Sequence, residues 1–103
     1  MTISIDEAGA CHQRAANIIR ERGHCKKKIE LWPDGPVCLL GAIKYASGMP
    51  ANQWAWSRGA DAAINKMTSY MGFDDPYLLS RWNDEKVRTA DEVISALEKA
   101  GLS

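Results

Sequence analysis

Four glycines divide the chain into stretches that each have the apolar spacing of an amphipathic helix. Gly23, Gly48, Gly72 and Gly101 lie 24 to 29 residues apart. Each follows a segment in which apolar residues recur three and four positions apart. Glycine readily adopts the left-handed conformation that commonly ends a helix, so each of the four is a natural stop signal. The sequence therefore predicts an all-α fold, a compact bundle of four main helices with short connections.

The helix starts are predicted from capping signals. Helices are expected over residues 5–22, from near Pro36 to Gly48, from Ser57 to Gly72 and from Ala90 to Gly101, with a short additional helix from Asp75 through Leu79. Ser4 with Glu7, and Thr89 with Glu92, fit the S/T-x-x-E capping box. Residues 51–56 fit either a helical turn or an irregular loop.

The connection from residue 23 to residue 36 allows two interpretations. Ile29 and Leu31 alternate with polar residues as in an extended segment, and Trp32-Pro33-Asp34-Gly35-Pro36 is a turn signal. A minor two-stranded ribbon near Ile29 would return through Val37. We favour a helix with Pro36 at its first position. Gly41 inside that helix predicts close packing against another element, since glycine otherwise weakens a helix.

Composition restricts the class of protein. The 103 residues fit a single domain, 1–103, with 46% hydrophobic and 25% charged residues and no net charge. Neutrality argues against bulk attraction to nucleic acid or membrane. No apolar stretch reaches the roughly 20 residues of a membrane span. Three cysteines and the lack of a secretory leader lead us to expect a cytoplasmic protein with reduced thiols.

Cys38 is the candidate for chemistry. Near a helix start its thiolate would be favoured, and with His24 and Asp84 it could form a cysteine–histidine–acid nucleophile. Packing of Cys38 as a small apolar residue beside Gly41 is the favoured alternative. The spacing of Cys11, His12, His24, Cys25 and Cys38 does not fit a metal site, and nothing indicates a cofactor.

Two features are candidates for protein contact. One is a cluster with net charge +4 over residues 20–28, formed by Arg20, Arg22, Lys26, Lys27 and Lys28. The other is the pair Trp54 and Trp56, among the four tryptophans Trp32, Trp54, Trp56 and Trp82, because an exposed tryptophan often anchors an interface. Trp54 and Trp56 are two positions apart and should not share one buried face. A solvated surface is the alternative interpretation of the basic cluster.

The segment from Trp82 to Val93 is dense in distinctive side chains. Trp82, Asn83, Asp84 and Arg88 are expected in a loop that leads into the last helix, which begins with the Thr89–Glu92 capping box. We interpret the segment as a structural clasp over the core; a polar site beneath Trp82 is the alternative.

The sequences Cys38-Leu39-Leu40-Gly41-Ala42, Trp82-Asn83-Asp84 and Arg88-Thr89 with Glu92-Val93 resemble a small uncharacterised family of actinobacterial and actinobacteriophage proteins. The resemblance implies a common fold and origin, with no assigned activity. It leads us to expect a small accessory protein in the host cytoplasm that binds a host or phage protein. A thiol-dependent enzyme using Cys38, a nucleic-acid-binding factor and a homodimer are the alternatives.

Overall fold

The computed structural model describes residues 6–49 and 57–103. The described helices are α1 (Glu7–Arg22), α2 (Leu39–Ala46), α3 (Arg58–Met71), α4 (Tyr77–Asp84) and α5 (Ala90–Gly101). The prediction of a helical protein is confirmed. The count of four main helices is not confirmed, because the short helix predicted after Asp75 extends through Asp84 as α4 and has eight residues, as many as α2.

Helix α1 is the central element and packs against α2, α3 and α5. Its buried stripe contains the small residues Gly9, Ala15 and Ala16, which allow neighbouring helices to approach closely. At the crossing with α5, a methyl group on Gly101 would lie 2.9 Å from the Gly9 carbonyl oxygen. The largest apolar side chains of the core are Ile19, Leu39, Ile43, Met67, Leu79 and Leu97, all almost completely buried.

The helix starts follow the capping signals, with one change. Helix α1 begins at Glu7, where the side chain of Asp6 accepts the Gly9 N–H at 2.7 Å. Asp6 is therefore the N-cap, and Ser4 of the predicted capping box lies outside the described residues. Ser57 caps α3, and the Thr89–Glu92 capping box at α5 is confirmed.

The predicted start of α2 at Pro36 is wrong. The Val37 N–H donates to the Gly23 carbonyl at 3.1 Å, and the Val37 carbonyl accepts the Cys25 N–H at 3.0 Å. The Cys38 N–H donates to the Ile29 carbonyl at 3.1 Å. These bonds hold residues 37–38 extended, so α2 begins only at Leu39. Within the described chain Val37 makes two isolated bridges, to His24 and Glu30, in place of the predicted ribbon.

The predicted loop from Trp82 to Arg88 is also wrong in its first half, because α4 continues through Asp84. The ammonium group of Lys26 binds the carbonyls of Glu85 and Lys86 at 2.6 and 3.0 Å, just beyond the end of α4. These contacts attach Lys26 to the turn that follows α4. The turn between α4 and α5 is reduced to residues 85–89.

Candidate functional site

Asn83 is the centre of a polar cluster between α4, the start of α2 and the segment from residue 24 to residue 29. It is 1% exposed. Its Oδ1 accepts from the His24 Nε2 at 2.6 Å and from the Leu39 N–H at 3.0 Å. Its Nδ2 donates to the Cys25 carbonyl at 3.2 Å and to the Asp84 Oδ1 at 2.9 Å. One buried amide therefore joins three separate parts of the chain.

The geometry at the start of α2 explains why glycine is needed at residue 41. A methyl group on Gly41 would lie 2.2 Å from the Ile29 carbonyl oxygen. The same oxygen accepts the Cys38 N–H, so it cannot move away without losing that hydrogen bond. The predicted close packing at Gly41 is confirmed, and it brings Ile29 against the first turn of α2.

The structure places Cys38, His24 and Asp84 around Asn83 without joining them as a nucleophile. The Cys38 thiol accepts the Gly41 N–H at 3.4 Å and acts as the N-cap of α2. His24 binds Asn83, and the Asp84 Oδ1 accepts the Lys27 N–H at 2.8 Å. Burial raises the pKa of the Cys38 thiol, which disfavours the reactive thiolate at neutral pH.

A groove opens beside this cluster. A cavity of about 220 Å³ is lined by Lys27, Lys28, Ile29, Cys38, Leu40, Ser80, Asn83 and Asp84. A second cavity of about 280 Å³ shares Leu40 and Ser80 and continues between α3 and α4 to Asp61 and Tyr77. The groove therefore carries two lysines and Asp84 at one end and Asp61 at the other.

The basic residues predicted as one contact surface have different environments. Arg20 binds Glu98 at 2.6 Å on the surface. The Arg22 guanidinium is 18% exposed, binds Glu30 at 2.6 Å, and lies 4.3 Å above the centre of the Tyr45 ring. Lys26 binds the carbonyls that follow α4, whereas Lys27 and Lys28 are exposed. Arg22 and Lys26 thus hold the fold together at this site.

Glu30 organises the loop between α1 and α2. Its Oε2 accepts from the Tyr45 hydroxyl at 2.5 Å, the Arg22 guanidinium at 2.6 Å and the Asp34 N–H at 3.1 Å. The hydrogen bond from Tyr45, followed by that from Arg22, lowers the pKa of Glu30. Glu30 is therefore ionised at neutral pH and fixes the middle of the loop.

Leu31 and Trp32 project from this loop. The Leu31 residue is 40% exposed and Trp32 is 58% exposed. The indole packs over Gly35, where an added methyl group would lie 2.4 Å from its Nε1. Trp32 is one of the four tryptophans of the sequence, but only Trp54 and Trp56 are predicted contact residues, and Leu31 is predicted to have no role in binding. The signal was an apolar pair directly before a Pro-Asp-Gly turn. Trp54 and Trp56 lie outside the described residues.

The segment after Asn83 forms a second set of contacts. The Arg88 guanidinium lies 4.1 Å above the Trp82 ring, and its Nε donates to the Trp82 carbonyl at 3.0 Å. It also binds Glu85 at 2.9 Å and Glu92 at 2.8 Å. Hydrogen bonds from the Thr89 N–H and from Arg88 lower the pKa of Glu92. Arg88 thus connects the end of α4 to the first turn of α5.

Among the described residues, His, Cys, Asp and Glu do not form any group of three or more that could hold a metal ion. The helices there are also too short or too polar to cross a membrane. No curated protein and no solved structure shows significant similarity to the chain. A sequence profile does match residues 6–101, and it describes a family of unknown function. Because the match spans nearly the whole chain, the protein belongs to that family, DUF6197.

Proposed function

We propose that the protein is a non-enzymatic protein-interaction module whose contact surface is the loop of residues 26–34. The observation that carries this proposal is the exposure of Leu31 and Trp32 in the same loop as the exposed lysines Lys27 and Lys28. Tryptophan is enriched among the residues that dominate binding energy at interfaces. An exposed apolar pair next to unburied positive charge fits a partner that is both apolar and acidic.

The loop is held rigidly, which favours binding. Glu30 fixes its middle through Tyr45, Arg22 and the Asp34 N–H. The Leu31 N–H donates to the Pro36 carbonyl at 2.9 Å and closes the turn around Trp32. A loop that is already ordered loses less conformational entropy when it binds.

The charge on this loop is available to a partner. Within residues 6–49 and 57–103, the ammonium groups of Lys27 and Lys28 make no ion pair or hydrogen bond. Arg20, Arg22 and Lys26 by contrast bind groups of the protein itself. We therefore assign attraction of an acidic partner chiefly to Lys27 and Lys28. Trp54 and Trp56 remain predicted contact residues.

The surroundings of Cys38 support a binding function over the thiol-dependent alternative. Among the described residues, the Cys38 Sγ accepts a hydrogen bond from the Gly41 N–H, whereas His24 binds Asn83. The resemblance to actinobacterial and phage proteins supports a phage-type accessory protein that acts on a host or phage protein in the host cytoplasm. In this proposal Trp82, Asn83, Asp84, Arg88, Thr89 and Glu92 form the structural clasp that supports the contact loop.

The test is a pull-down from an actinobacterial lysate with three matched variants. Trp32→Ala should weaken capture of the partner at least about tenfold, as for an interface anchor. Lys27→Glu with Lys28→Glu should also weaken capture, and more strongly at low salt than at high salt. The control is Tyr77→Ala, which removes a 67% exposed aromatic side chain at the start of α4, outside the loop of residues 26–34, and should leave capture unchanged.

Equal loss in Tyr77→Ala and Trp32→Ala would contradict the proposed surface, as would full capture by Trp32→Ala. Loss only in Trp54→Ala or Trp56→Ala would move the interface to that segment. Salt-sensitive retention on duplex DNA would favour the nucleic-acid alternative. A mass that rises with concentration and returns to the monomer in Trp32→Ala would identify the partner as a second copy.

A further inference from the structure

The loop that carries Leu31 and Trp32 begins and ends beside a cysteine. The Cys25 N–H donates to the Val37 carbonyl at 3.0 Å, and the Val37 N–H donates to the Gly23 carbonyl at 3.1 Å. This pattern pairs His24 with Val37 in parallel orientation. The next residues along the two segments, Cys25 and Cys38, therefore lie next to each other.

The pairing distance suits a disulfide. Paired extended segments lie about 4.8 Å apart, and disulfides form between residues whose Cα atoms are about 4.4–6.8 Å apart. Both thiols are free. Asn83 holds this arrangement from both sides, because it binds the Cys25 carbonyl and the Leu39 N–H.

We propose that Cys25 and Cys38 are a redox-sensitive pair that forms a reversible disulfide across the base of the loop. The oxidant would be a low-molecular-weight disulfide or thiol-exchange protein of the cytoplasm. Disulfides are rare in cytosolic proteins, and those that do form are usually transient and catalytic or redox-sensing.

Cys38 is the first sulfur to react. It lines the groove of about 220 Å³, which gives a small disulfide a path to it, and its Sγ receives the Gly41 N–H. The Cys38 thiolate attacks the disulfide and releases one thiolate, forming a mixed disulfide. The Cys25 sulfur then attacks the Cys38 sulfur and releases the second thiolate. Two protein thiols are oxidised, one disulfide is reduced to two thiols, and the protons of Cys25 and Cys38 pass to the leaving groups.

The two thiols are poor nucleophiles in isolation. Burial, with a contribution from nearby Cys38, raises the pKa of Cys25 to about 11, and burial also raises the pKa of Cys38. The rate of disulfide formation should therefore rise about tenfold for each pH unit above neutral, as the thiolate fraction rises. Such slow exchange suits a bond that responds to a sustained change of redox state.

Cys11 provides an internal control. Its thiol is buried at the contact of α1 with α2 and donates to the Ile43 carbonyl at 3.6 Å. Trypsin separates the three cysteines into peptides 1–14, 23–26 and 29–44. A disulfide between Cys25 and Cys38 therefore joins peptide 23–26 to peptide 29–44 and leaves peptide 1–14 alone.

The experiment incubates the folded protein with oxidised glutathione over a range of pH, blocks the remaining thiols with iodoacetamide in denaturant, and maps the tryptic peptides. We expect a mass lower by about 2 Da before blocking and a cross-linked 23–26/29–44 peptide that dithiothreitol cleaves. Cys11 should be alkylated in every sample. Cys11→Ser should form the disulfide as readily as the original protein.

Cys38→Ser and Cys25→Ser should lose the cross-link. Serine is a preferred N-cap residue, so Cys38→Ser is expected to keep α2, and circular dichroism checks that it does. The proposal is overturned if folded protein in excess oxidised glutathione keeps both cysteines alkylatable, stops at a stable mixed disulfide, or cross-links Cys11. These outcomes are independent of whether a partner binds the loop.

Discussion

The two ends of the molecule are held together by different forces. Where α1 meets α3 and α5, the contacts are apolar and include Ala15, Ala63, Met67, Val93 and Leu97, each fully buried. Where α2 meets α4, the buried amide of Asn83 makes hydrogen bonds to His24, to Asp84 and to two backbone groups. Apolar burial is roughly proportional to area and has little direction, whereas hydrogen bonds depend strongly on position.

The two regions should differ in how strongly small substitutions lower the stability of the protein. Cores tolerate substitutions that conserve volume, because neighbouring side chains can repack. A buried polar group whose partner is removed loses its hydrogen bond and cannot regain one from water. The cluster around Asn83 should therefore be more sensitive than the α1–α3–α5 core to changes of similar size.

The largest effect is expected at Gly41. Gly41→Ala places a methyl group 2.2 Å from the Ile29 carbonyl oxygen, so the first turn of α2 must separate from the loop. We expect a loss of about 4 kcal/mol in the free energy of unfolding, at the upper end for overpacking. Urea denaturation measures it. Gly59→Ala is the matched control: the added methyl makes ordinary contacts at 3.8 Å in α3, and stability should stay the same or rise slightly. Equal effects would contradict the close approach at Gly41.

Asn83→Leu should come next. The substitution keeps the number and branching of the side-chain heavy atoms but leaves the Leu39 N–H and the Cys25 carbonyl without their partner. With about 1–3 kcal/mol for each unsatisfied group, we expect a loss of about 3 kcal/mol, measured by urea denaturation. The comparison is Leu97→Met, a volume-conserving change in the apolar core that should cost about 1 kcal/mol. If Leu97→Met proved the more costly, the proposed contrast between the two regions would be wrong.

His12 is a buried polar residue within the apolar region. It is completely buried, its Nε2 donates to the Ala63 carbonyl at 2.7 Å, and its Nδ1 has no partner among the described residues. Burial lowers the pKa of His12 below the usual 6.5. The unfolded chain then binds more protons than the folded protein below pH 6.5, so stability falls with decreasing pH by at most about 1.4 kcal/mol per unit.

Urea denaturation between pH 7.5 and about pH 5 tests this dependence. His12→Gln keeps a donor to Ala63 and should remove most of the slope. The pKa values of Glu30 and Glu92 are also lowered. The stability that these two carboxylates contribute is therefore lost only as the pH falls below the usual 4.5, outside this range. An unchanged slope in His12→Gln would show that another group titrates.

The smallest effect is expected at Thr89. Its hydroxyl accepts the Glu92 N–H at 3.2 Å as half of the capping box of α5. Thr89→Ala should lower the free energy of unfolding by about 1 kcal/mol, and Thr89→Ser should restore most of it, since both hydroxyl residues are good N-caps. Thermal unfolding followed by circular dichroism compares the three. Failure of Thr89→Ser to recover stability would point to packing of the Thr89 methyl group.

Most features of the fold that depend on residues close together in the sequence could be predicted from the sequence. The helix ends at Gly23 and Gly72, the caps at Ser57 and Thr89 and the close packing at Gly41 are all present in the structure. Capping and left-handed glycines act over three or four residues, so the local sequence contains the needed information.

The tertiary structure decided the rest. Helix α2 could not begin at Pro36, because the backbone of Val37 and Cys38 is hydrogen-bonded to Gly23, Cys25 and Ile29. Asn83 became the centre of the polar cluster through partners 44 to 59 residues away in sequence. The exposure of Trp32 likewise depends on the fold of its loop, in which Glu30 joins Arg22 and Tyr45. Such contacts join residues far apart in the chain, and only the packed structure shows which of many similar side chains meet.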